Sequence, residues 1–200
     1  KRSSPSIYRS QRRGGKGVKG ITTGEEDFVS AMFKTTSLSY LLCFTNKGKV
    51  HWLKVYKIPE GSRTSKGKAI VNMVNLDHQE TIMAIVPVRE FRDDQFVVMV
   101  TKHGTVKKTE LSQFSNVRRD GIIAISIDDD DELCSAKLSS GKHHVLICSK
   151  QGMSIRFDEE DVRPMGRGAR GVKGFELDEG DQVVGVEVLN PTEKEVTILT

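Results

Sequence analysis

The densest candidate for chemistry in this 200-residue chain is Gln11-Arg12-Arg13-Gly14-Gly15-Lys16-Gly17, where three cations and three glycines share seven positions. Glycines let a backbone approach a partner closely and leave N–H groups free to meet an anion. Arginine presents a planar fork that matches phosphate oxygens, and lysine adds a point charge. Together with Lys1, Arg2, Arg9 and Lys19 they make seven cations and no acid in residues 1–24, more than the net +4 of the whole chain. Such a segment suits the phosphate backbone of a nucleic acid. On composition alone, a solvated basic arm fits equally well.

The remaining reactive residue types point away from catalysis. Asp128-Asp129-Asp130-Asp131-Glu132 lacks the alternating ligands and central Gly of a calcium loop, and acids recur at Glu25–Asp27, Asp77 with Glu80, and Asp178–Asp181. A solvated acidic turn is the expectation. His51, His78, His103, His143 and His144 form no ligand or catalytic pattern, and no GxxxxGK[ST] phosphate loop is present. Neither a catalytic residue nor a metal site is expected. Cys43, Cys134 and Cys148 are odd in number and in no metal-like spacing, which predicts free thiols and a reducing compartment. Apolar runs such as Ile82–Val88 fall far short of the roughly 18 residues a membrane helix needs, so no membrane is expected as partner. The missing initiator Met and the strand-like Glu195–Thr200 predict a piece of a longer protein.

The elements that must position the basic residues repeat. With 36% hydrophobic residues and 18 Gly, the chain can fold. An apolar run closed by Ser or Thr, with Gly three residues later, appears at Leu41–Gly48, Val97–Gly104 and Val145–Gly152; its hydroxyls at 45, 101 and 149 are 56 and 48 apart. A glycine in a basic loop recurs at Gly17, Gly67, Gly121 and Gly171, and an apolar run after an acidic turn begins at Phe28, Ile82, Leu133 and Val183. Three separate markers give one period of about fifty residues.

Within a unit the pattern reads as four strands. For the second unit these are 41–45, Val50–Val55, Ile70–Val74 and Thr81–Val88, with Asn46-Lys47-Gly48 as the first turn. Phe44, Trp52 and Tyr56 alternate with aliphatics and read as core. Four-stranded units at this period predict an all-β, β-propeller-like domain. A single domain spans 1–200: a partial blade at 1–35, blades at about 36–90, 91–141 and 142–192, and the start of another at 195–200. Equivalent basic loops then carry Arg63, Lys66 and Lys68, Arg118 and Arg119, and Arg163, Arg167, Arg170 and Lys173. Loops at one position of every blade share a rim, along which a bent duplex could lie.

Gln11–Gly17 meets every position of the GyrA box, and on it the chain resembles the C-terminal domain family of the DNA gyrase A subunit. Further similarity lies in Asp27-Phe28, Asn46–Gly48 with Val50, Val55-Tyr56, Ile70-Val71-Asn72 and Gly104–Thr109, covering essentially all 200 residues. The resemblance implies a β-pinwheel, a propeller relative with rearranged strand pairing. It implies a non-catalytic domain that wraps duplex DNA, with Gln11, Arg12, Arg13, Gly14, Gly15, Lys16 and Gly17 as principal contact. Arg9, Lys19, Arg63, Lys66, Lys68, Arg118, Arg119, Arg167, Arg170 and Lys173 would support them. It further implies a bacterial, cytoplasmic, nucleoid-associated A2B2 heterotetramer with the gyrase B subunit that introduces negative supercoils. ATP, Mg and the cleavage tyrosine are then used elsewhere in the holoenzyme, and this domain needs no cofactor. The alternatives are the related domain of topoisomerase IV, which usually lacks an intact box, and a protein-binding propeller.

Overall fold

The computed structural model describes residues 1–8, 10–21, 29, 31–62 and 64–192. Arg9, Arg63, Asp27-Phe28 and the strand expected at 195–200 lie outside these residues.

Each apolar run is a strand, and its markers have a physical cause. Strands β1 (Tyr40–Thr45) and β2 (Lys49–Lys54) form the first hairpin. Gly48, at φ 72°, turns the chain, and its amide donates to the Thr45 carbonyl at 3.0 Å. The Thr45 hydroxyl accepts the Lys49 amide at 3.3 Å, so the hydroxyl and the glycine close the same turn. β3 (Ile82–Val88) flanks β1. The pattern returns with β4 (Phe96–Thr101), β5 (Thr105–Glu110) and, beyond it, β7 (Leu133–Ser139) against β4, with Thr101 accepting from Thr105 at 3.1 Å. It returns again with β8 (His144–Ser149), β9 (Ser154–Asp158) and, further on, β11 (Val183–Leu189), with Ser149 accepting from Met153 at 3.3 Å.

The fourth strand of a sheet comes from the next unit, where the sequence predicted it within its own. β6 (Ile122–Ile123), just after the basic-loop glycine Gly121, pairs with β2 through Lys49↔Ile123 and Val50↔Ile122. β10 (Val172–Lys173), just after Gly171, pairs with β5 in the same way, Thr105↔Lys173 and Val106↔Val172. The sheets therefore run β3-β1-β2-β6, β10-β5-β4-β7 and β11-β8-β9, the last receiving no donated strand among the described residues.

Ile70–Val74, expected as a strand, contains instead a single 3-10 turn at Ile70–Asn72. Ile70, Met73 and Val74, spaced as on a helical turn, pack on Leu41, Cys43 and Leu53. Short 3-10 turns also follow the second strand of each unit, at Val55–Lys57, Leu111–Phe114 and Glu159–Asp161, and another lies at Pro5–Ile7.

Central strands are buried on both faces. Leu42 and Phe44 of β1 and Val97 and Met99 of β4 share one core, which also holds Leu111, Phe114 and Ile125. The alternate residues Val98 and Val100 of β4 face Val145, Ile147 and Val183 in a second core. Trp52 stacks on Phe91 with ring centroids 5.5 Å apart and donates its indole N–H to the Phe114 carbonyl at 2.9 Å. Tyr56, expected in the core, is 50% exposed.

The two seams between sheets are stitched alike. The Gly48 carbonyl accepts the Ala124 and Ile125 amides at 2.8 and 3.1 Å, while that of Gly104 accepts Gly174 and Phe175 at 2.9 and 3.1 Å. The acidic turns are exposed at Asp77, Asp128–Asp130 and Asp178-Glu179, as expected, and in each of these turns one acid also faces inward and closes the unit. Glu80, 6% exposed, accepts the Thr45 hydroxyl at 2.7 Å, Asp131 accepts the His103 amide at 3.0 Å, and Asp181 accepts that of Gln151 at 3.1 Å.

Candidate nucleic-acid interface

The box is a closed, exposed loop. Its first residue makes the clasp: the Gln11 side-chain oxygen accepts the Gly17 amide at 3.0 Å and its nitrogen donates to the Gly17 carbonyl at 3.5 Å. Inside the clasp, the Gly15 amide donates to the Arg12 carbonyl at 3.0 Å, and Gly14 and Gly17 take φ of 86° and 71°. A Cβ on Gly15 would lie 2.8 Å from the Gln11 side-chain oxygen and 3.2 Å from the Arg12 carbonyl, so a side chain there would push the clasp aside. Arg12, Arg13, Lys16 and Lys19 are exposed, and none forms an ion pair among the described residues.

Lys66, Lys68, Arg118 and Arg119 are exposed likewise. Arg167 is half-buried and donates to the Ile123 carbonyl at 3.5 Å. Arg170 pairs with Asp128, and Lys173 with Glu176 at 2.7 Å. Exposed pairs of this kind hold their partners weakly and leave both cations within reach of a stronger anion. The Arg118–Arg119 and Arg167–Arg170 loops each precede a strand that completes the sheet before it, so each stands in one relation to the hairpin it caps.

Two cations absent from the expected set share this surface. Lys54 and Lys57 line a cleft of about 560 Å³ with Arg118 and Arg119, beside Asn72, Asn75 and His51. They lie on the end of β2 and the 3-10 turn after it, outside the basic loops that composition singles out. His51 is 2% exposed, with its Nε2 3.5 Å from the Glu80 carboxylate and neither ring nitrogen hydrogen-bonded. Among the described residues no group of three or more His, Cys, Asp or Glu could hold a metal, and no helix is long and apolar enough to cross a membrane. Cys43, Cys134 and Cys148 are free thiols.

The sequence matches the family described as DNA gyrase C-terminal domain, beta-propeller, over residues 1–36, 39–89, 95–140 and 143–190. It is 45% identical over 200 residues to the DNA gyrase A subunit of Lawsonia intracellularis, covering 100% of this chain and 24% of that one. With the Staphylococcus aureus gyrase A subunit the identity is 46% over 202 residues, covering 100% and 23%. The chain thus spans about a quarter of the length of these relatives. Among solved structures, a DNA gyrase A C-terminal domain superposes with TM-score 0.70 at 30% identity, over 92% of this chain and 59% of that one. The C-terminal domain of a DNA topoisomerase IV does so with TM-score 0.73 at 31% identity, over 80% and 50%.

Proposed function

Because the chain belongs to the DNA gyrase C-terminal domain family, we propose that it binds duplex DNA and bends it around a basic rim, within a topoisomerase whose cleavage and ATP chemistry lie elsewhere. The observation that carries this reading is the clasped loop Gln11–Gly17, which offers Arg12, Arg13 and Lys16 with no acid paired to them among the described residues. The loops holding Lys66 and Lys68, Arg118 and Arg119, and Arg167, Arg170 and Lys173 extend the contact.

The magnitudes call for several contacts. Bending a site of 20–30 base pairs by 40–90° costs on the order of 1–6 kcal/mol. A longer wrap meets that cost repeatedly, so one arm does not hold it. Phosphate contacts spread along the curve do, since each releases counterions. The loops offer no recognition helix, so preference among sequences comes from deformability rather than base reading.

Replacing Arg12, Arg13 and Lys16 by Ala in the full-length protein, assembled with its partner chains, tests the reading. Negative supercoiling is lost while ATP-driven relaxation persists; undiminished supercoiling refutes the role. A topoisomerase IV type of domain is the second reading, favoured by the comparable superposition on that fold. The handedness of the wrap on nicked circles separates the two.

A further inference from the structure

The residue six positions after each of the first two hairpin hydroxyls lies close to the basic-loop glycine of the following unit, His51 directly under Gly121 and Lys107 beside Gly171, whose nearest neighbour is the Val106 carbonyl. A Cβ on Gly121 would strike the His51 ring at 2.8 Å, and one on Gly171 would lie 3.2 Å from the Lys107 Cβ. The second of these positions holds a fully buried lysine in the interior of β5.

Lys107 reaches out of its own sheet. Its ammonium donates to the Ala124 carbonyl at 2.7 Å and to the Arg167 carbonyl. Ala124 follows β6, which Arg118 and Arg119 precede, and Arg167 lies in the next basic loop. One side chain therefore ties the backbones of two successive basic segments. Ser126 adds weaker ties to the same loop, its hydroxyl donating to the Gly168 carbonyl at 2.9 Å and its amide to that of Ala169 at 3.2 Å.

Lys107 faces no carboxylate within ion-pair distance among the described residues. Burial, and then the Arg167 guanidinium, push its pKa down to about 8. A charge held this way is a poor device for stability alone, since an apolar side chain of similar volume generally serves a core as well or better. What an apolar side chain lacks is the reach to two carbonyls at once.

We propose that Lys107 is a positioning residue of the basic rim: its ammonium fixes the Arg167–Arg170 loop against the segment that follows Arg118-Arg119, so that the cations of two blades meet a duplex as one array. This rests on the DNA-binding reading above. Lys107 itself touches no DNA.

The test measures binding of the full 200-residue chain to a long duplex across a salt series. Each phosphate contact contributes about 0.9 to the slope of log affinity against log salt. K107M is expected to lower that slope by roughly 1–2 and to weaken binding roughly tenfold at fixed salt. V145A, a core truncation in β8 far from these carbonyls in sequence, lowers the melting temperature but keeps the slope. In an R167A/R170A background, K107M adds no further loss.

A parental slope in K107M, or a full additional loss in the R167A/R170A background, overturns the positioning role. If K107M does not fold, K107Q replaces it: its shorter side chain keeps a donor but does not reach both carbonyls, so it lowers the slope in the same direction, and an unchanged slope overturns the proposal. Failure of the DNA reading is distinct: R12A/R13A/K16A and R167A/R170A then also bind as the parent does.

Discussion

A Cβ built on Gly104 would lie 2.5 Å from the carbonyl oxygen of Phe175, in the following unit. Gly104 therefore answers two demands, a φ of 85° in its own hairpin and a close approach across the seam, where its carbonyl accepts the Gly174 and Phe175 amides. Gly48 stands in the same relation to the Ile125 carbonyl. Gly152, at the equivalent turn, has φ 88° but nothing within 4 Å. The first two hold neighbouring units together, whereas the third only turns a chain.

That contrast gives a stability prediction. G152A imposes left-handed strain alone, about 1–2 kcal/mol. G104A adds displacement of two seam hydrogen bonds, each on the order of 1 kcal/mol, for a total of about 3–4 kcal/mol. Urea unfolding of both variants decides it. Equal losses would mean that the seam does not depend on Gly104.

Gln11 is the clasp of the basic loop but has no charge of its own. Q11A is expected to leave the melting temperature unchanged, because every residue of the loop is exposed. It is expected to weaken duplex binding by up to roughly tenfold, the worth of one or two exposed hydrogen bonds that hold Arg12, Arg13 and Lys16 in place. A binding isotherm at fixed salt reads this. Parental affinity would show that the cations act without the clasp.

The repeat was legible because its markers are the atoms that close the turns. Thr45, Thr101 and Ser149 each accept an amide four residues on, and glycine is the residue that suits φ near 72–88° at the third position. The strand exchange was not legible. β6 and β10 are two residues long, and Ile123 pairs with Lys49, too far along the chain for periodicity to report. Ile70–Val74 reads as a strand but forms a 3-10 turn, because a short apolar run looks the same as a strand or as one helical turn laid on a core. Charge and glycine content sufficed to mark Gln11–Gly17. Lys54 and Lys57 escaped, since only the fold brings them to Arg118 and Arg119.

Salt dependence separates a distributed rim from a single arm. With the box alone in contact, three cations give a slope of about −2.7 at about 0.9 per phosphate. If the later loops also engage a long duplex, the slope steepens well beyond that, and it relaxes towards the smaller value on duplexes too short to reach a second blade. R118A/R119A then lowers the slope by roughly 2 on long duplexes and leaves short ones unchanged. Fluorescence titrations at several salt concentrations measure it. A slope independent of duplex length would restrict the contact to one segment.

Two buried groups set opposite alkaline trends in stability. Burial and the Arg167 guanidinium bring Lys107 from 10.5 to about 8, so between those values the unfolded chain holds a proton that the folded chain has released. Stability from this group therefore rises with pH over that window, at up to about 1.4 kcal/mol per pH unit. Cys43 behaves in reverse: burial raises its thiol from 9.0 to about 12, so the folded chain keeps a proton the unfolded chain loses, and stability falls from about pH 9 upward. The sum rises between about pH 8 and 9, is level to about 10.5, and falls beyond. Unfolding free energies of the parent, K107M and C43A across this range check it by difference, which cancels the exposed lysines common to all three. K107M loses the rise and C43A the fall. A parental profile in K107M would mean that Lys107 stays charged in the folded chain up to its ordinary pKa, as it does in the unfolded one.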